Sequence, residues 1–405
     1  GRAMSDYILW YDRPAGSWNE ALPLGNGRLG AMVFGGVANE RLQLNEDTFW
    51  SGAPYDPVNP KAREHLGEVR RLIRQKRYAA AEALAEQYLL GEPKILESYQ
   101  PLGDLFIAAS IGSGSQGYRR KLDLDAGIAS TFFEVGGAKF ERHVFVSAVD
   151  QVIAVRYACD RPGRISFAAT FESPHPVEFE AADGVLVARG RWQDPKGERE
   201  GLRFELHIRA IPEGGSARIE PGGTGDEPDG TRARSCTRLQ SAAIRVESAD
   251  RVTLLIAART SYAHPDPGER CRADLAAAAA KPYEMLKEAH LEDHRRLFRR
   301  VELRLRPTEG EQDVRPGIGP DAGAGTRPAP CPDRGSDAGE DSGFARWGTG
   351  ADDGPDAGPG PRADTGPDIP TDERLRRVRE GEDDPRLVEL YFQYGRYLLM
   401  ASSRP

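Results

Sequence analysis

The sequence predicts a mainly β chain: a large two-sheet antiparallel β-sandwich with a helical insert and a helical linker, followed by a disordered insertion and a terminal run of helix. Three observations predict it. From Leu202 to Arg209 every second residue is apolar, which is the period of a strand with one face buried. Comparable runs recur at Leu105 to Ala108, Ser130 to Val135, Phe140 to Val146, Val152 to Tyr157, Ile165 to Phe171, Ala243 to Val246 and Val252 to Ala257. No helices alternate with them, so they imply sheets packed face to face rather than βαβ units. Between Pro307 and Pro370 the composition narrows to Gly, Pro, Asp, Ala and Arg, with too few large apolar residues to offset the entropy of ordering.

Taken in order, Tyr7 to Trp10 forms a short strand that leads into residues 18–52, the stretch around which the chain is organised. Leu29 to Phe34 and Arg41 to Leu44 read as two buried strands of a hairpin or meander, with glycines where backbone turns tightly or meets a close neighbour. Asn59 and Pro60 are an N-cap and a first-turn proline for a helix carrying Leu66, Val69, Leu72 and Ile73; a second helix runs from about Tyr78 to Leu90. The two helices suggest a cap over one end of a sheet. The Gly- and Pro-rich piece from Pro212 to Thr231 reads as a long hairpin loop.

Asp274 to Arg300 is a helix or helical pair divided near Pro282, and Val301 to Leu305 alternates like a strand returning to the sandwich. Thr371 to Leu375 looks like a capped helix start. Pro385 to Met400 is an amphipathic helix with a broad apolar face that needs partners. These boundaries give a β-sandwich domain over 1–271, a helical linker and return strand over 272–306, a disordered insertion over 307–370 and a helical start over 371–405.

Gly25-Asn26-Gly27-Arg28-Leu29-Gly30 matches the dinucleotide fingerprint letter for letter, but that pattern needs a helix to open within it, and Met32-Val33-Phe34 directly after it is strand-like. The second strand of the hairpin runs into Asn45-Glu46-Asp47-Thr48 and the aromatic pair Phe49-Trp50. Amides, carboxylates and flat rings are the parts from which sugar sites are built, since a pyranose offers hydroxyls to polar groups and a C–H face to an aromatic.

The run Trp18 to Gly36, the block Leu44 to Gly52, and Tyr99-Gln100-Pro101-Leu102-Gly103-Asp104-Leu105 together resemble the N-terminal domain of glycoside hydrolase family 95, the inverting α-L-fucosidases. The resemblance covers residue 7 to about 305 and resumes near 370. It implies that Pro385 to Met400 is the first helix of an incomplete (α/α)6 catalytic barrel. It also implies that the acid and the water-activating groups lie in that barrel beyond Pro405, so the chain reads as a C-terminally truncated enzyme, inactive alone, with no catalytic residue of its own. Asn45, Glu46, Trp50, Tyr99 and Gln100 are the expected substrate contacts at the mouth of the pocket. The partner implied is a fucosylated oligosaccharide or glycan, with no cofactor and no metal. The family joins its domains by a much shorter link than residues 307–370.

A net charge of -8 offers no basic face for nucleic acid. Cys159, Cys236, Cys271 and Cys331 lie far apart without C-x-x-C spacing and read as isolated thiols. No apolar run approaches a membrane span, and the first twenty residues lack a signal-peptide core. Glu46 and Asp47 are the tempting carboxylate pair, but neighbours on a strand point to opposite faces, which argues against their flanking one bond. His290 and His294 have helical metal-ligand spacing without the glutamate of a zinc protease, and Ser17, Ser51 and Ser261 lack a nucleophile-elbow context. Two functions are therefore weighed: the N-terminal part of a glycoside hydrolase releasing α-linked L-fucose or L-galactose, and a non-catalytic carbohydrate-binding or scaffold sandwich.

Overall fold

The computed structural model describes residues 7–94, 96–112, 114–197, 199–221, 241–305 and 369–404. The strands, numbered in chain order, begin with β1 (Ile8–Tyr11), β2 (Leu22–Gly25), β3 (Leu29–Val33), β4 (Asn39–Glu46), β5 (Gly103–Ala109) and β6 (Gln116–Asp123). Next come β7 (Ile128–Val135), β8 (Ala138–Val146), β9 (Ile153–Cys159), β10 (Ile165–Glu172) and β11 (Val177–Ala182). The last are β12 (Val185–Arg191), β13 (Arg203–Glu213), β14 (Ser216–Pro221), β15 (Ala242–Ala249) and β16 (Arg251–Thr260). Among the described residues they form a nine-stranded sheet, β1-β6-β7-β8-β9-β16-β13-β12-β11, and a seven-stranded sheet, β14-β15-β10-β5-β4-β3-β2. All the pairings are antiparallel, as the sequence pattern requires.

The core lies between the sheets. Leu42, Leu44, Leu105, Ile107, Phe167 and Ala169 meet Val144, Val155, Leu206, Ile208, Leu254 and Ile256 there. The opposite face of the nine-stranded sheet is also covered. Helices α3 (Pro267–Ala279) and α4 (Tyr283–Phe298) lay Cys271, Leu275, Ala278 and Leu286 on Phe145, Ala154, Leu255 and Ala257. Burial on both sides explains why β16 reads as an almost unbroken apolar run rather than an alternating one. Across the interior, the fully buried Glu40 of β4 pairs with the fully buried Arg142 of β8, whose Nη1 also donates to the Gly36 carbonyl at 3.0 Å. Glu40 accepts the backbone N–H groups of Gly35 and Arg41 at 2.8 and 2.9 Å. Each charge is thus compensated, and the pair ties one sheet to the other.

Helices α1 (Ala62–Arg74) and α2 (Tyr78–Tyr88) pack on each other through Val69, Leu72, Ala81 and Leu84, a cluster of their own apart from the sandwich core. The first starts two residues beyond Pro60, because Asn59 is used one turn early: its Oδ1 accepts the Lys61 N–H at 3.0 Å. Helix α3 begins at Pro267 rather than Asp274, since Asp266 accepts the Glu269 N–H at 3.0 Å and Pro267 supplies the first-turn proline.

Three sequence expectations need correction or fall elsewhere. Val301 to Leu305 is not a strand. It runs as irregular chain beside α6 (Pro385–Ser402), the Val301 carbonyl accepting from Gln393 Nε2 at 3.1 Å and the Leu305 N–H donating to Glu389 at 2.6 Å. Its backbone groups therefore bond to helix side chains rather than to a sheet edge, and the alternating Val301 and Leu305 side chains stay exposed. The supposed loop from Pro212 contains strand β14, which closes on β15 with register Ser216 to Glu247; residues 222–240 lie outside the described residues. The insertion expected to be disordered, 307–370, falls outside the described residues but for its last two.

Helix α6 is better partnered than its sequence suggests. Asp384 caps it, accepting the Leu387 N–H at 3.0 Å, and is itself clamped by Arg374 of α5 (Thr371–Arg379) at 2.8 and 2.9 Å. Leu387, Leu390 and Tyr397 join the sandwich core, and the Tyr397 hydroxyl donates to the Pro23 carbonyl of β2 at 2.7 Å. The sandwich thus supplies partners for one face of the helix, while Val388, Tyr391, Phe392, Leu398 and Leu399 are exposed on the other.

Candidate functional site

The dinucleotide-like motif is the turn of the β2–β3 hairpin, with Gly25 paired to Gly30, and no helix opens within it. Asn26 holds the turn. Its Oδ1 accepts the N–H groups of Arg28 and Leu29 at 3.0 and 2.7 Å, and its Nδ2 donates to the Ser147 carbonyl at 2.8 Å. The glycines are used for close approach: a Cβ on Gly25 would stand 2.3 Å from the Ala401 carbonyl oxygen of α6, and the Gly27 N–H donates to that same oxygen at 2.8 Å.

At this end of the sandwich lies a cavity of about 290 Å³, walled by the Asn26–Arg28 turn, residues 46–48, Gln151, Arg259, Thr260, His264 and Arg404. Arg28 crosses its floor, donating to Gln151 Oε1 at 2.8 Å, the Ala258 carbonyl at 2.6 Å and Glu46 Oε1 at 3.2 Å. The other Glu46 oxygen accepts Thr48 Oγ1 at 2.5 Å and the Thr48 N–H at 2.8 Å, and Thr48 Oγ1 lies 2.5 Å from Thr260 Oγ1. Arg259 is held by Asp274 at 2.9 and 2.7 Å, and Arg404 by Asp293 at 2.7 Å. Burial, reinforced by the neighbouring Glu46 carboxylate, pushes Asp47 up to about 6.

Glu46 and Asp47 therefore meet in one cavity, contrary to the strand-alternation argument. Strand β4 ends at Glu46, Asp47 is already in the turn, and beyond a strand's last residue the period of two no longer applies. The two carboxyls are close enough to share a hydrogen bond. That closeness is its own argument against the pair performing inversion, which needs its two groups about 6.5–9.5 Å apart with a water between them.

The five residues expected at a pocket mouth divide into two settings. Glu46 is buried and faces the cavity. Asn45 lies on the opposite, outward face of β4, beside the Tyr99 hydroxyl. Tyr99 forms a bridge with Trp50, and their rings meet edge to face at 5.5 Å. Gln100 donates through Nε2 to the Ser98 carbonyl at 3.1 Å and through its backbone to the Phe49 carbonyl at 2.9 Å. Phe49 is fully buried between His175 and Phe204, so of the aromatic pair only Trp50 reaches solvent. Sequence reading missed Arg28, Gln151, Arg259, Thr260, His264 and Arg404. They come from distant stretches of the chain, and no local spacing joins them.

His290 and His294 are not surface residues. Both are buried on α4 and bonded to carbonyls of the β6–β7 turn, His290 Nε2 to Ala126 at 3.0 Å and His294 Nε2 to Leu124 at 2.7 Å. Burial lowers both imidazoles, His290 to about 4. Among the described residues no group of three or more His, Cys, Asp or Glu is placed to hold a metal, and Cys159 and Cys271 are free thiols.

A two-sheet sandwich followed by linker helices, with polar and aromatic groups gathered at one end, defines an N-terminal domain of carbohydrate-active type. Residues 9–265 match the family model described as glycosyl hydrolase family 65, N-terminal domain, and residues 360–405 match that of the glycosyl hydrolase family 95 catalytic domain. The chain belongs to the glycosyl hydrolases that combine these two parts. It is 31% identical over 98% of its length to alpha-L-fucosidase 2 of Arabidopsis thaliana, covering 42% of that protein. It is 27% identical over 75% of its length to probable alpha-fucosidase A of Aspergillus niger, covering 38% of it. The chain thus spans about two fifths of the length of these curated relatives. Among solved structures, a putative kojibiose phosphorylase from human microbiome aligns with 72% of this chain and 35% of its own, at 8% identity and a TM-score of 0.40. No described helix is long and apolar enough to cross a membrane.

Proposed function

We propose that this chain is the N-terminal part of an inverting glycoside hydrolase that releases α-linked L-fucose, or the closely similar L-galactose, from glycans. The observation that carries the reading is the identity to an alpha-L-fucosidase across nearly the whole chain, running from the sandwich into the catalytic-domain match. Within that reading the domain boundaries fall near 271, 306 and 370, and the catalytic acid and base belong to the remainder of the catalytic domain. Residues of this chain position rather than react. The cavity lined by Arg28, Glu46, Asp47 and Thr48, and the outward group of Asn45, Trp50, Tyr99 and Gln100, form the sandwich's share of the wall around the substrate. Asp47, largely protonated below about 6, can donate a hydrogen bond to a sugar hydroxyl there.

The test compares residues 1–405 with a form extended through the remainder of the catalytic domain, both assayed on 2′-fucosyllactose. Hydrolysis with inversion is expected of the extended form alone. Turnover by residues 1–405 would show that the sandwich carries its own carboxylate chemistry, and an inert, folded extended form would refute the activity.

A further inference from the structure

We propose that the outward face of β4 is a platform for an extended, neutral oligosaccharide chain, distinct from the pocket that takes the terminal sugar; this deepens the reading of Asn45, Trp50 and Tyr99 as glycan contacts and rests on it. Along β4 the even positions Glu40, Leu42, Leu44 and Glu46 point inward, so Gln43 and Asn45 stand side by side on the outer surface. Two residues of strand separate them by about 7 Å. At each end of this short row stands an exposed aromatic. Trp18 is 54% exposed, Trp50 39% and Tyr99 46%.

In both tryptophans the polar tip is satisfied within the protein while ring surface is left to water. Trp18 Nε1 donates to Gln43 Oε1 at 2.6 Å and Trp50 Nε1 to the Asp47 carbonyl at 2.9 Å, while the Tyr99 ring is set edge to face against Trp50 with its hydroxyl beside Asn45. These contacts fix the ring orientations before any ligand arrives. A flat apolar surface held that way loses little freedom on binding and suits the C–H face of a pyranose. Beside Asn45 the neighbouring strand presents Gly30, which has no side chain to fill the space. With Gln43 Oε1 engaged by Trp18, its amide nitrogen is left to bond a hydroxyl, and no hydrogen bond from it is found among the described residues.

Charge selects the occupant. The next outward residue, Arg41, is clamped by Asp104 at 2.9 and 3.1 Å, so it offers the row no free positive charge. A polyanion finds no free cation there among the described residues, whereas a neutral glycan needs none.

The experiment titrates residues 1–405 with the fucose-free tetrasaccharide lacto-N-tetraose, and separately with free L-fucose, following tryptophan fluorescence. Saturable quenching by the tetrasaccharide is expected. Trp18→Ala should weaken its association at least fivefold with an unchanged far-UV spectrum, Trp18→Phe should restore most of it, and Gln43→Ala should weaken it severalfold. Equal binding by Trp18→Ala overturns the proposal, as does a response to L-fucose alone. Loss of self-association in Trp18→Ala without any glycan binding also overturns it, by assigning the face to a second copy of the chain. Tetrasaccharide binding by residues 1–405 beside a folded extended form that hydrolyses no fucoside would refute the activity and leave the platform standing. Fucoside hydrolysis without tetrasaccharide binding would do the reverse.

Discussion

Replacing Asp47 by Asn should remove one contribution to the stability of the domain that falls as pH rises. The carboxyl is raised to about 6, by burial first and by Glu46 second, against an ordinary value of about 4 in an unfolded chain. A shift of about two units corresponds to about 3 kcal/mol as a ceiling, and since the residue is only partly buried and keeps contact with solvent we discount this to about 1 kcal/mol. The folded state holds this proton more tightly than the unfolded state. The contribution of this group is therefore largest below about pH 4, declines between about 4 and 6, and is level above. Asp47→Asn removes the decline. Urea unfolding at pH 4.0, 5.0, 6.0 and 7.5 should show the variant gaining about 1 kcal/mol on the parent between the lowest and highest values. A constant offset is irrelevant, because a lost local contact would produce one. A variant-minus-parent difference that stays flat across that range, or falls with pH, would refute the reasoning.

Two further perturbations test the frame around the cavity. Glu40→Gln strands Arg142 in the interior and should lower stability by about 3–5 kcal/mol, while Glu40→Met combined with Arg142→Met should lose much less than the sum of the single changes in a double-mutant cycle. Gly25→Ala pushes a methyl group against the Ala401 carbonyl oxygen. Faster amide exchange is expected at the end of α6 with the central strands unaffected, and unchanged exchange there would show that this contact does not hold the helix.

Much of the fold was legible because the sandwich obeys the period of two where one face is buried, as in β13, and because the glycine motif lacked a helix to complete it. Two of the strands that escaped reading, β6 and β14, did so for identifiable reasons. Strand β6 is spelled Gln-Gly-Tyr-Arg-Arg-Lys-Leu-Asp, with its polar character outweighing Leu122, yet Arg120 within it is buried and bonded to the carbonyls of Arg13 and Glu20. Hydropathy places such a residue at the surface; only the carbonyls waiting for it explain its burial. Strand β14 was hidden in a Gly- and Pro-rich composition, and Val301 to Leu305 alternated without a sheet edge to join. The site was harder still. Asn45 and Glu46 could be singled out as a polar pair on a strand end, but that they serve opposite faces, and that Asp47 turns back to join Glu46, depends on where the strand stops. Arg28 was in view only as a letter of the glycine motif; that it reaches Glu46, Gln151 and Ala258 together is a fact of tertiary packing.

The seating of α5 and α6 also bears on how this chain can tolerate change. The two ends of the stretch from 306 to 368 are anchored separately: Leu305 by Glu389, and the start of α5 by the Trp10 N–H, which donates to Thr371 Oγ1 at 3.0 Å. The seating of α5 and α6 is therefore set by these contacts with the sandwich and its neighbouring chain, whatever the length of sequence between them.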